Sequence, residues 1–132
     1  MSSKKELYCY LRVSSKQQLE EGNSIENQRF LGKKVSKRLG MKYVEMNEGD
    51  YSTTKSSRPK LDEIKQGIRI GRIKNVWYYS RSRWSRSEEE DFLIRKHYFQ
   101  KFKTNVYEGE SGELRKFNSP QDRLFDRIFS SF

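Results

Sequence analysis

At 132 residues the chain has the length of one domain, long enough to close a real core. Its net charge of +10, with 35% charged residues, points to a polyanionic partner, nucleic acid before membrane. Membrane is disfavoured because no apolar run approaches about 20 residues and no basic amphipathic helix has a clean apolar face. A single cysteine excludes an internal disulfide and a zinc-cysteine cluster, and no signal peptide opens the chain, so the expectation is a reduced, cytoplasmic protein.

The first predicted element is a strand. Leu7, Cys9, Leu11 and Val13 alternate with Tyr8 and Tyr10, a pattern suited to burial on both faces. Arg12 and Ser14 then continue the tyrosine face. A guanidinium is costly to bury without an anionic partner, so either a carboxylate neutralises Arg12 or an anion visits from outside. The polar stretch "SKQQLEEGN" reads as a loop. Ser24 caps a helix from Ile25 to about Leu39, ended by Gly40, with Ile25, Leu31, Val35 and Leu39 as its apolar stripe and Gln28 facing inward. "MKYVEM" is the second strand and "NEGDYSTTKSS" a long polar loop. Pro59 opens a helix with Leu61, Ile64 and Ile68 on its stripe, closed by Gly71. "NVWYY" is the third strand, and Ser87 with Glu90 forms a capping box for a helix to about Gln100. "TNVYEG" is the fourth strand, and Asn118-Ser119-Pro120 announces a last helix. This alternation predicts an α/β domain of three layers: a mainly parallel sheet of four to five strands with helices on both faces.

In such sheets ligands collect at the carboxyl ends of the strands. Arg12 and Ser14 follow the first strand, the Thr/Ser-rich loop ending in Arg58 follows the second, and "SRSRWSR" with Arg81, Arg83 and Arg86 follows the third. Three arginine-bearing loops therefore converge on one rim, and arginine suits bidentate recognition of phosphate. No histidine stands near the serines and no Gly-x-Ser-x-Gly elbow occurs, so a hydrolase triad is unsupported. A serine among arginines suggests phosphoryl transfer, with guanidiniums stabilising charge on a phosphate. The other reading, from a different class, is a non-catalytic basic module that binds nucleic acid through charge and interleaved aromatics. Cys9, Trp77 and the strand tyrosines read as core. Trp84 reads as a residue ordering its loop, His97 as a partly buried structural histidine, and Lys33, Lys34, Lys37 and Arg38 as a solvated helix face.

The ordered motifs "YLRVSSKQQ", "SIENQ", "SSRPKLDEI" and "SRSRWSRS" resemble the catalytic domain of the serine site-specific recombinases, the resolvase/invertase group. The resemblance spans nearly the whole chain and implies a resolvase-like fold. It implies that Ser14 attacks a DNA phosphodiester to give a 5′-phosphoserine intermediate, followed by strand exchange and religation, with no cofactor and no metal. Arg12, Arg58, Arg83 and Arg86 fall on the family's phosphate-binding arginines, and Gln18 and Gln28 on glutamines that position serine and phosphate. The family often has an aspartate before the first arginine of its third motif; here Ser82 stands there, and Asp50 is the alternative carboxylate. The longer stretch between Gln18 and Gln28 is closer to the large serine recombinases of phages and mobile elements, the integrases among them. The resemblance further implies double-stranded DNA as partner and a homodimer or tetramer in the full-length protein. Residues from about 119 to 132 would begin a long dimerisation helix, with a DNA-binding region beyond it.

Overall fold

The computed structural model describes residues 5–13, 24–50 and 58–130. One sheet runs in the order β2-β1-β3-β4-β5, with β1 at Glu6–Val13, β2 at Lys42–Asp50, β3 at Asn75–Tyr78, β4 at Asn105–Glu108 and a short β5 at Glu113–Leu114. β1 pairs in parallel with β2 and β3, and β3 with β4; β5 alone is antiparallel. The expected α/β sheet is present.

The two faces of β1 divide the core as its alternation requires. Helix α1 (Ile25–Leu39) lays Leu31 and Val35 over Leu7, Cys9, Leu11 and Trp77. Its ends are those predicted: Ser24 Oγ accepts from the Asn27 amide at 3.1 Å, and Gly40 turns left-handed at φ 69°. Burial pushes the Cys9 thiol up to about 12, so it stays neutral in the core. On the opposite face lie α2 (Pro59–Arg69), a four-residue turn α3 (Arg81–Trp84), and α4 (Glu88–Ile94), which continues into a π turn over Arg95–Gln100. Leu61, Ile64, Ile68, Ile94 and Phe99 pack there on Tyr8, Tyr10, Val76 and Tyr78. Trp84 is fully buried, with its ring 5.2 Å from Tyr10, 5.5 Å from Tyr78 and 5.2 Å from Phe99. It is a centre of this core as well as a brace for its segment.

Three expectations need correction. β2 runs past Met46 to Asp50, so the polar segment is strand for its first residues. There the pairing with β1 shifts between Leu11 and Arg12, and Gly49 takes φ 76°. "SRSRW" is not plain loop but carries the α3 turn. His97 is exposed on the outer side of its helix rather than partly buried.

Topology sets where a site can form. The chain leaves β1 through α1 toward β2 on one side, and reaches β3 on the other side through α2. The two connections cover opposite faces, so a crevice opens at the carboxyl ends of β1 and β3, the switch point of the sheet. Arg12 and the α3 turn stand at that crevice.

One ion pair fastens α1 to the β2 edge. Arg29 Nε and Nη2 donate to the Glu45 carboxylate at 2.7 and 2.9 Å. Chiefly through the Arg29 hydrogen bond, this carboxyl is held at about 2 against an ordinary 4.5. A depressed carboxyl contributes stability above its ordinary range and loses it as pH falls toward 2. Both side chains are partly exposed, so the contribution is expected to stay below about 1 kcal/mol. Glu45→Gln should therefore flatten the acid limb of a stability-against-pH curve in that window. An unchanged acid limb would show that the pair carries no net stabilisation.

Candidate active site

The α3 turn is short, and its carbonyls are spent on partners from elsewhere in the fold. Arg12, almost fully buried at the end of β1, donates Nη2 to the Ser82 carbonyl at 2.7 Å and Nε to the Arg83 carbonyl at 2.9 Å. Arg58 Nη1 donates to the Trp84 carbonyl at 3.2 Å. The Arg81 carbonyl accepts from both the amide and the hydroxyl of Ser85, at 2.7 and 3.1 Å. Four successive carbonyls at the negative end of a helical turn thus hold two guanidiniums and the turn's own exit. Among the described residues, the acceptors of Arg12 are neutral. These backbone dipoles accept its hydrogen bonds without carrying a negative charge of their own. Desolvation, and then the like charges of Arg58 and Arg86, hold its pKa below the ordinary arginine value, while Tyr10 and Glu90 act the other way.

Gln28 completes the clamp from the other face. Its Nε2 donates to the Arg12 carbonyl at 3.1 Å, and its Oε1 accepts from the Arg12 amide at 3.3 Å. The fully buried amide behaves as one more strand partner at the point where β1 ends.

Two carboxylates organise the second arginine. Glu90 accepts from Arg58 Nη2 and, through its other oxygen, from the Arg86 amide at 2.8 Å. The capping box is therefore half-formed: Ser87 Oγ accepts from the Glu90 amide at 3.1 Å, but the Glu90 carboxylate serves the arginine segment instead. Burial pushes that carboxyl up, yet Arg58 and the Arg86 amide outweigh it and hold it below its ordinary value. Glu48, 1% exposed in β2, accepts from the Lys60 and Leu61 amides at 3.1 and 3.0 Å and from the Tyr10 hydroxyl at 3.0 Å. Arg58 occupies the N-cap of α2 but makes no side-chain cap bond there. Glu48 caps that helix from a neighbouring strand and so fixes where Arg58 begins. Burial, then the Glu48 charge, pushes the Tyr10 hydroxyl well above its ordinary pKa, keeping it a donor.

Of the predicted residues, Arg12, Gln28, Arg58, Arg83 and Arg86 meet around α3, with Arg83 buried in the turn and Arg86 exposed at the rim. Ser82 is exposed, its hydroxyl 2.9 Å from that of Ser80. Ser14, Gln18 and the Asp50 side chain lie outside the described residues. Ser14 is the residue after Val13, the last of β1. The sequence does not announce Glu48 at this site, and it assigns Tyr10 to the core and Glu90 to a helix cap rather than to Arg58 and its neighbours. Tyr10 held a clue, since a buried tyrosine hydroxyl on the Arg12 face needs an acceptor.

The model of the resolvase N-terminal domain family matches residues 7–132. Two solved structures share the fold. The N-terminal catalytic domain of TP901-1 integrase is 22% identical, with 96% of this chain and 92% of that one aligned and a TM-score of 0.65. A resolvase family site-specific recombinase from Streptococcus pneumoniae is 20% identical, with 97% and 87% aligned and a TM-score of 0.71. No curated protein matches the chain in sequence. With the family's N-terminal domain matched from the first core strand to the last helix, the chain belongs to the resolvase family of site-specific recombinases.

Proposed function

We propose that this domain cuts and rejoins DNA by transesterification at Ser14. The Ser14 oxygen attacks a backbone phosphorus, an oxygen–phosphorus bond forms to serine, and the bond to the 3′ oxygen breaks. The products are a 5′-phosphoserine link and a free 3′ hydroxyl; the serine proton leaves on attack, and the departing oxygen gains one. Rejoining after strand exchange runs the same steps backwards, so phosphodiester bond energy is conserved. Arg12, Arg58, Arg83 and Arg86 bind the phosphate and stabilise its developing charge, while Gln18 and Gln28 position serine and phosphate. The observation that carries this reading is Arg12: a buried guanidinium, hydrogen-bonded to neutral carbonyls, two residues before Ser14 at the sheet's switch point.

The terminal helix α5 (Pro120–Phe129) extends this reading to assembly. Leu124 and Ile128 are 47% and 43% exposed on it, an apolar face suited to a second copy of the chain in the dimer or tetramer.

Arg83→Lys and Arg86→Lys test the chemistry, since lysine keeps the charge but loses the planar fork. In a recombination-competent protein each should slow DNA cleavage at least about tenfold, roughly 1.4 kcal/mol of transition-state stabilisation. DNA affinity should change little. Equal losses of affinity and cleavage would mean that these arginines merely hold DNA, as the non-catalytic binding module would have it.

A further inference from the structure

Beside the arginine rim lies a second buried charged cluster that the cutting chemistry does not use. Arg115 donates to both oxygens of Asp91 at 2.9 and 2.7 Å, to Asp122 at 3.1 Å and to the Tyr78 hydroxyl at 3.0 Å. The Tyr78 hydroxyl in turn donates to Glu108 at 2.7 Å. Arg95, 1% exposed, pairs with Asp126 at 2.7 Å. Asp91 belongs to α4, Glu108 to β4, and Asp122 and Asp126 to α5. Leu124 and Ile128 are exposed, and α5 meets the domain through these charges and through Phe129, which lies 5.5 Å from Phe92 and stacks on Phe125.

Asp122 is fixed twice over. It closes a capping box with Ser119 in the first turn of α5, and it faces Arg115 and Arg81. Burial pushes its carboxyl up, but the charge and hydrogen bond of Arg115, with Arg81, hold it below its ordinary value. Arg81 is the one member of the cluster that belongs to the α3 turn. Its Nη1 lies 3.5 Å from Asp122 and its Nε 3.1 Å from Glu108. The next two carbonyls of that turn hold Arg12.

We propose that Arg81 and Asp122 are positioning residues: their contact hands the placement of α5 to the α3 turn, so that the arginine rim is set for DNA cutting only when α5 is docked. The inference rests on the recombinase reading. Asp91, Asp122 and Asp126 face the deeply buried Arg115 and Arg95, while Arg81, about a third exposed, is the near charged partner of Glu108 and also reaches Asp122. What it adds is a tie between the terminal helix and the segment that carries Arg83 and Arg86.

The test uses recombination-competent protein with Arg81→Met, Arg81→Lys, Asp122→Asn and the Arg81→Met/Asp122→Asn pair. Cleavage rate at saturating DNA, DNA Kd and Tm are measured for each. Arg81→Met should cut at least tenfold slower with Kd and Tm unchanged, and Arg81→Lys should recover part of the rate. The double variant should be no slower than the slower single one, because both break the same link. Cutting by Arg81→Met at the parent rate would overturn the proposal, as would rate losses that multiply in the double variant. A rate loss that merely follows a fall in Tm would also overturn it. A parent protein that forms no covalent complex with DNA would instead sink the recombinase reading before any variant is compared.

Discussion

Ser14→Ala is expected to abolish covalent attachment of the protein to DNA while leaving DNA affinity nearly intact. The choice of Ser14 over Ser15 rests on strand parity. Leu7, Cys9 and Leu11 point into the α1 layer, while Tyr8 and Tyr10 point into the layer of α2 and α4. Arg12 continues the tyrosine face and reaches the α3 carbonyls on that side. One further even step is Ser14; Ser15 would fall on the opposite face if the extended backbone continues. Affinity should survive because the arginines and the overall charge of +10 remain. Loss of the adduct in Ser15→Ala but not in Ser14→Ala would reverse the assignment.

The second large effect is expected at a residue with no part in bond making. Glu48→Ala removes the acceptor for the Tyr10 hydroxyl and for two amides at the start of α2. A buried donor left unsatisfied costs about 1–3 kcal/mol. Water can reach part of a helix end, so a total on the order of 3 kcal/mol is reasonable. For a domain of this size that corresponds to a fall in Tm of roughly 10 °C. Glu48→Gln should cost less, since one amide oxygen still caps the helix, but it should weaken the pairing with Tyr10. Cleavage should drop in both, because α2 begins at Arg58. Thermal denaturation decides: a Tm for Glu48→Ala within a degree or two of the parent would show that the carboxylate is not the cap described.

These two residues mark how far the sequence could be read. Strand β1 was legible because alternation on a doubly buried strand assigns every side chain a face, which put Arg12 at the carboxyl end of the sheet, while the stripe of α1 turned Gln28 inward toward it. The helices with apolar stripes, and the caps Ser24 and Gly40, were legible for the same local reason. Glu48 was not, because its partners lie a dozen residues on and on another strand, and an isolated "NEGD" reads as polar loop. The α3 turn escaped for a related reason. "SRSRW" has no helical stripe, and the turn is held by guanidiniums that bind its carbonyls from β1 and the start of α2. Glu90 shows that a local rule can be overridden. The spacing from Ser87 predicts a reciprocal box, but a nearly buried arginine competes for the carboxylate and wins. The cluster around Arg115 draws on residues from 78 to 126, a spread that no window along the chain joins.

The most direct measurement is to trap the protein on DNA carrying its recombination site, digest the complex, and identify the bridging atoms by mass spectrometry. The expected product is a peptide containing Ser14 that bears the phosphate of the DNA 5′ end, with the opposite end released as a 3′ hydroxyl. A phosphoryl link to Ser15 or to a tyrosine, attachment to the 3′ end, or cleavage with no link at any time would contradict transesterification at Ser14.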